Sequence, residues 1–254
     1  MAAFEDSIKQ GLEALRIKAG TAVLMHLDAM VIGQFLGFGN PAGMEALFTI
    51  IEEHLGEWGT LIVPTFTYSF TKNEPFDVRE TPSTVGILTE VFRRRDRVAR
   101  SLEPIFSVAA SGRRAAEVVA LDPTDCFGSG SVFSWLAENE ATIACLACDV
   151  DRMTFLHHAE QMIPVNYRYM KAFSGTVVDA TGLAREKTIN YLVRDLALNP
   201  VLDVTRFKED ALRMGLLTKA TINRVVGWAL PASEGRAFVI DKLRADHRYL
   251  LRPA

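Results

Sequence analysis

The stretch Thr154 to Glu160, TFLHHAE, concentrates more acid–base chemistry than any other part of the chain. On a helix His157 and Glu160 stand three residues apart and share a face, whereas His158 points about 100° away. A carboxylate beside an imidazole favours the charged ring and fixes its orientation, as a general base requires. A His-x-x-Glu with one further His is also the start of a metal site, but His26, His54 and His247 are scattered without ligand spacing. A surface His–Glu pair is the third reading, and the residues alone leave all three open.

Other motifs carry less. Gly37, Gly39 and Ala42 (GFGNPA) match the short dinucleotide fingerprint. No strand runs directly into the first glycine, and no acidic residue ends the next strand, so the loop is expected only to shape a helix entry. Cys145 and Cys148 form a Cys-x-x-Cys inside the apolar run ATIACLACDV. If that run is a strand throughout, the two thiols face opposite sides, and buried structural thiols are the expectation. The arginines Arg93, Arg94, Arg95, Arg97 and Arg100 close a helix-like segment. They are expected to form a solvated face or to complement a helix C-terminus, with contact to a cofactor's phosphates as the functional alternative. Neither a Gly-x-Ser-x-Gly elbow nor a Gly-Lys-Ser/Thr phosphate loop is present.

The elements that must position these residues alternate. Phe4, Ile8, Leu12 and Leu15 recur at helical spacing and Gly20 stops them, then Thr21 to Leu27 reads as a buried strand. Asn40 and Pro41 look like an N-cap and first helical residue, followed by a strand over Leu61 to Phe66. Ser83 is expected to cap a helix through Val85 to Arg95, with a strand over Ile105 to Ala110. Ser131 to Glu140 reads as a helix, Ala141 to Leu146 as a strand and Met153 to Ile163 as a helix. From Phe173 short alternating stretches separated by Gly175 and Gly182 suggest antiparallel strands, and Phe207 to Met214 and Gly235 to Leu243 read as late helices. This order predicts an α/β fold with a parallel or mixed sheet covered on both faces, in one domain over residues 1–254.

Composition excludes several classes. At 254 residues with 49% hydrophobic and 23% charged residues, the chain has ample material for a core and is not disordered. A net charge of −3 argues against nucleic acid as the main partner. Three cysteines, an odd number, fit a reducing compartment. The first twenty residues lack the pattern of a secretory signal, and no apolar run reaches the roughly 18 residues that span a bilayer. The expectation is a cytoplasmic protein without a membrane partner.

Seven ordered segments together resemble one family, the aminoglycoside 3-N-acetyltransferases and their relatives. They are His26 after a strand, GTLIVPTFTYSF (Gly59 to Phe70), Phe76-Asp77, TPSTVGILTEVFR (Thr81 to Arg93), RSLEPIFSVAASG (Arg100 to Gly112), FGSGS (Phe127 to Ser131) and MTFLHHAE (Met153 to Glu160). The resemblance implies a three-layer α/β/α sandwich with a mixed central sheet and antiparallel additions in the C-terminal third. It implies acyl transfer from acetyl-CoA or another acyl-CoA to a primary amine by direct attack, without a metal. On it, His157 becomes the general base and Glu160 its supporting carboxylate. Acceptor binding falls to Glu103, Asp77 and Tyr68, and donor binding to His26, Asp28, Thr65, Ser83 and Ser107. The partners implied are two small molecules, the amine and the acyl-CoA, with room for a homo-oligomer.

The chain departs from the aminoglycoside enzymes at two places. Leu27 and Asp28 stand where those enzymes follow the matching His with serines, and Glu103 stands where they have a His. Glu103 is expected to attract a cationic amine, or else to pair with Arg100. The segment YRYMKAFSG (Tyr167 to Gly175) resembles relatives associated with polysaccharide or secondary-metabolite synthesis, which favours an amino sugar or an amine-bearing biosynthetic intermediate over an antibiotic. An antibiotic-resistance enzyme, a non-catalytic scaffold and a thioester hydrolase are the alternatives.

Overall fold

The computed structural model describes residues 2–252. After α1 (Ala2–Ala14) the chain enters β1 (Ala22–Leu27), whose six residues are all buried. Val23, Met25 and Leu27 point into one core, while Ala22 and Leu24 point into the other. A strand buried on both sides is the reason TAVLMHL reads as a continuous apolar run rather than an alternating one.

Helices α2 (Met30–Leu36) and α3 (Pro41–Leu55) lead to β2 (Thr60–Pro64), which lies parallel to β1. Asn40 caps α3 by accepting from the Gly43 N–H at 2.9 Å, with Pro41 first in the helix. The short β3 (Phe76–Asp77), α4 (Ile87–Arg93), β4 (Ala99–Arg100), β5 (Val108–Gly112), α5 (Ala115–Val119) and α6 (Val132–Glu138) follow. Then come β6 (Thr142–Leu146), α7 (Leu156–Met162), the long β7 (Arg168–Val178) and β8 (Ala184–Arg194), and α8 (Thr205–Arg213). The hairpin β9 (Thr218–Ile222) and β10 (Val225–Pro231) and the helix α9 (Ala232–Ala245) complete the chain.

The main sheet has the order β4-β5-β2-β1-β6-β10-β9. Its centre, β2-β1-β6, is parallel, and the outer strands are antiparallel. Residues of α1 to α4 fill the core on one face, and residues of α5 to α9 fill the core on the other. This is the three-layer α/β/α arrangement with a mixed sheet. β3, β7 and β8 form a second sheet of three strands, in which β7 and β8 make an antiparallel ribbon, β3 adds in parallel to β7, and Phe76, Val177, Ile189 and Leu192 join the second core. No helix among the described residues is long and apolar enough to cross a membrane.

Several local expectations change. Ser83 does not cap α4. The loop is tied back by Thr84, which donates to the Phe66 carbonyl, and the helix starts only after Gly86 at φ 129°. The strand expected over Ile105 to Ala110 begins at Val108, because the Ile105 carbonyl accepts from the Thr67 and Tyr68 N–H groups in a loop. Gly175 lies inside β7 rather than between strands, and a Cβ there would come within 2.9 Å of the Phe70 ring. The sequence reading leaves out the β9–β10 hairpin, which turns through Asn223 at φ 55°.

The arginine run is a solvated face only in part: Arg94 and Arg97 are exposed, but Arg93, Arg95 and Arg100 are not. Arg93 is buried and donates twice to Glu90, at 2.6 and 2.7 Å, and to the Arg79 carbonyl at 2.6 Å. Arg95 bridges Glu45 and Glu52 on α3. Arg100 is buried over the Phe76 ring and donates to the Thr65 and Thr81 carbonyls at 2.7 and 2.5 Å. With those donors committed, Arg100 makes no pair with Glu103.

Glu103 is 6% exposed and is spent on the backbone. Its carboxylate accepts from the Ile105 N–H at 3.1 Å, from the Phe106 N–H and from the Cys126 thiol at 3.3 Å. Burial pushes its pKa up to about 7, against the opposing effect of those donors. Its carboxylate is thus committed to holding the loop before β5. Glu103→Ala leaves two buried N–H groups unpaired, and each such loss costs about 1–3 kcal/mol. Because its folded-state pKa lies above the ordinary 4.5, the native state holds this proton more tightly than the unfolded chain does. Stability from this group is fullest in acid and declines as pH rises from about 4.5 to about 7. Urea unfolding should give a lower midpoint for Glu103→Ala at every pH and a smaller decline across that window for Glu103→Gln.

Candidate active site

Ligand crevices in α/β sheets open at the carboxyl ends of parallel strands. A cleft of about 710 Å³ is at that edge. His26, Leu27 and Asp28 come from the end of β1, Pro64 and Phe66 from the end of β2, and Ala147, Cys148 and Asp149 from the end of β6. The wall is completed by Tyr68, by Thr84, Val85 and Thr89 before and in α4, and by Asp151, Arg152, Thr154 and His157 around the start of α7.

His157 projects into this cleft from α7, with a side chain 19% exposed. Its Nδ1 is 2.5 Å from Oε2 of Glu160, one helical turn on, whose side chain is wholly buried. Glu160 has two further partners. The Tyr167 hydroxyl donates to its Oε1 at 2.6 Å, and Arg168 Nε lies 2.9 Å from its Oε2. Burial alone raises the Glu160 pKa, but His157, Arg168 and Tyr167 more than offset it and hold the carboxyl down to about 2. An ionised Glu160 only accepts, so the proton between the pair belongs to His157 Nδ1. Arg168 Nη2, 3.2 Å from that same Nδ1, is then a neighbouring charge and not a donor to it. The remaining ring nitrogen, Nε2, carries a free lone pair. Burial and then Arg168 lower the His157 pKa, opposed by Glu160, so the ring is neutral near pH 7. A buried, oriented, neutral imidazole is built to accept a proton.

His158 faces elsewhere. It is buried, with Nδ1 2.6 Å from the Phe127 carbonyl oxygen. Phe127 also packs edge-on to the His157 ring, with centroids 5.4 Å apart, and leads into an aromatic cluster of Phe106, Tyr191, Tyr68 and Phe66.

The residues expected to bind ligands divide sharply. His26, Asp28 and Tyr68 line the cleft together with His157. Thr65 and Ser107 have no exposed surface. The Ser107 hydroxyl donates to the Thr65 carbonyl at 2.7 Å and the Thr65 hydroxyl to the Ser107 carbonyl at 3.1 Å, so both extend the β2–β5 pairing and leave nothing for a donor. Ser83 is held against the Thr89 hydroxyl at 2.6 Å, and it is Thr89 that reaches the cleft wall. Asp77 accepts from the Arg79 and Glu80 N–H groups at 2.8 and 3.1 Å, fixing a turn away from the cleft. Glu103 is likewise absent from its lining.

The cysteines behave differently from a strand pair. β6 ends at Leu146, and Ala147 takes φ 61°, which turns Cys148 back. Burial and then a hydrogen bond with the Cys148 thiol push the Cys145 thiol up, so the two sulfurs meet rather than face apart. Tyr167 and Arg168 are the site residues the sequence reading misses, since they stood there only as part of a family-like segment. A basic residue eight positions after a buried helical carboxylate was the available signal. Among the described residues, no three His, Cys, Asp or Glu side chains converge as a set of metal ligands.

A family model described as aminoglycoside 3-N-acetyltransferase matches residues 24–244. The chain is 29% identical over 180 residues to the SPbeta prophage-derived aminoglycoside N(3')-acetyltransferase-like protein YokD of Bacillus subtilis (strain 168), covering 63% of this chain and 65% of that protein. It is 28% identical over 179 residues to aminoglycoside N(3)-acetyltransferase III of Pseudomonas aeruginosa, covering 61% and 63%. The match thus spans just under two thirds of the length of these curated relatives. In fold the chain is similar to the aminoglycoside acetyltransferase AAC(3)-Xa, with a TM-score of 0.79, 22% identity and coverage of 98% of this chain and 94% of that one. It is also similar to AAC-IIIb in a binary complex with CoASH, with a TM-score of 0.76, 21% identity and coverage of 95% and 96%. A family match across nearly the whole chain, on a fold that superposes throughout, shows that the chain belongs to the aminoglycoside 3-N-acetyltransferase family.

Proposed function

We propose that this protein is an acyl-CoA-dependent N-acyltransferase in which His157 is the general base and Glu160 its anchor. The observation that carries the reading is the dyad itself. The free Nε2 of a neutral imidazole faces a cleft at the carboxyl ends of β1, β2 and β6, and an ionised, buried carboxylate fixes the ring from behind. A primary amine is mostly protonated near neutral pH and nucleophilic only without that proton. In the reaction the amine nitrogen attacks the thioester carbonyl carbon, and its proton passes to His157 Nε2. The C–S bond then breaks, and the CoA thiolate leaves with the proton returned from the His157 imidazolium, which restores the neutral ring. Glu160 stabilises the imidazolium formed at the moment of attack, and Tyr167 and Arg168 keep Glu160 ionised for that purpose.

The acceptor is an amino sugar, with aminoglycosides the first members to test. Asp28 lines the same cleft without an ion-pair partner among the described residues and offers a carboxylate to a cationic ligand, whereas Asp149 is paired with Lys208 and Asp151 with Arg152. The CoASH complex of one relative and the sisomicin complex of another, AAC-VIa, support both halves of the reaction. An amine-bearing biosynthetic intermediate is the second reading, favoured by the segment Tyr167 to Gly175. Mass spectrometry of the protein incubated with mixed acyl-CoAs and a panel of aminoglycosides and amino-sugar nucleotides decides between them. A mass gain on one amine is expected, and thioester loss without any acylated amine would support a hydrolase instead.

His157→Ala should lower kcat by about 10²-fold or more with acyl-CoA affinity nearly unchanged, since loss of a base acts on the transition state. His158→Ala should cost far less. The wild-type kcat should rise with pH through an apparent pKa below the ordinary histidine value, and that limb should vanish in His157→Ala. Removing the cation beside the ring raises its pKa, so in Arg168→Met the limb should move to higher pH. A limb that stays in place would show that Arg168 does not set the ionisation of the base.

A further inference from the structure

A second histidine in the cleft has no role in the chemistry above. His26 is the penultimate residue of β1 and pairs in register with Cys145 on β6. It is 8% exposed, and its Nε2 is buried without a hydrogen-bond partner among the described residues. Other histidines of the chain are served by the backbone. His54 has Nε2 2.7 Å from the Ile17 carbonyl oxygen, and His158 has Nδ1 2.6 Å from that of Phe127. Buried polar nitrogens are rarely left unpaired, so the ring is not held by the fold's own hydrogen bonds, and the small part of it that stays exposed belongs to a residue of the cleft wall. His26 and His157 line the one cleft, from the end of the central strand and from the start of α7.

We propose that His26 is a second catalytic group, whose ring donates a hydrogen bond to the thioester carbonyl oxygen of the acyl donor as the amine attacks. This rests on the acyl-transfer reading and deepens it. When the N–C bond forms, the carbonyl π pair moves onto oxygen, and that oxyanion needs a donor already in place. Collapse re-forms the carbonyl and expels the CoA thiolate, while the amine's proton is on His157. His26 keeps its own proton throughout. Burial first, and then the nearby Arg152, hold its pKa down to about 4, so the ring is neutral wherever the amine can react. A neutral ring has one N–H to offer and adds no charge that would repel the imidazolium of His157. The two histidines thus divide the work, one taking the proton and the other stabilising the charge left on oxygen.

The test compares His26→Leu, which has no donor, with His26→Gln, which keeps an N–H. Loss of one oxyanion donor costs about 10²- to 10³-fold in kcat. His26→Leu should show a drop of that order, acetyl-CoA affinity by calorimetry within about threefold of wild type, and an unmoved pH limb for His157. His26→Gln should recover about tenfold or more of the lost rate. If His26→Leu does not fold, His26→Phe fills the ring's volume without a donor and takes its place. A kcat within threefold of wild type, a loss matched by weaker thioester binding, a shifted His157 limb, or no rescue by Gln each overturns the proposal. A wild-type protein that acylates no amine in the same assay overturns the acyl-transfer reading itself, and this inference with it.

Discussion

The site depends on a carboxylate kept charged almost entirely out of water. An isolated buried carboxylate would take up a proton rather than bear the desolvation cost, and a protonated Glu160 could neither fix the His157 tautomer nor stabilise the imidazolium. Two donors and one cation prevent this. His157 comes from the same helix, the Tyr167 hydroxyl from the turn after it, and the Arg168 guanidinium from the first residue of the ribbon. Removing any one leaves the other two with a charge they must share, so the arrangement is expected to respond as a unit and not as a sum of pairs.

The sheet supplies the other half of the site without any charge. Parallel strands β2, β1 and β6 end together, and where their backbones stop pairing the chain must turn away, which opens the cleft. The residues at those ends come from positions 26–28, 64–66 and 147–149, far apart in sequence and brought together only by strand order. The two aromatic and arginine-rich segments that follow β2 and α4 are then used as bracing. Arg93, Arg95 and Arg100 knit α3, α4 and the loop around Thr65 into a stiff wall.

What could be read from the sequence was what depends on near neighbours. The His157–Glu160 pair is a one-turn spacing, the Asn40-Pro41 helix start is a local capping signal, and the buried run of β1 shows its double burial in composition. Ordered segments across the chain also carried the family resemblance and, through it, the three layers. The reading failed where burial is decided by packing between distant segments. Thr65, Ser107 and Glu103 are polar residues in family-like stretches, and nothing in their neighbours says that β5 will seal them inside. Cys145 and Cys148 were misplaced because a single left-handed residue, Ala147, turns the chain back just after the strand ends at Leu146, which the apolar run does not signal. Arg168 was missed because its contact with Glu160 crosses from a helix to a different sheet.

The ribbon that carries Arg168 has a consequence for how the protein ages and fails. β7 and β8 pair over eleven residues each, yet only Arg168, Val177, Ile189 and Leu192 are buried in them. A segment with so little apolar anchorage opens locally at a free energy below that of global unfolding. Opening at its base would withdraw the guanidinium from Glu160 while the core under α1 to α4, which holds no ribbon residue, stays closed. Amide hydrogens of Arg168 to Ala172 would then exchange faster than those of β1 and β6, and inactivation on warming would set in before the cooperative melting of the domain. The lifetime of the His157–Glu160–Arg168 arrangement would then be set by the small sheet of β3, β7 and β8, and not by the seven-stranded sheet whose strand ends line the cleft.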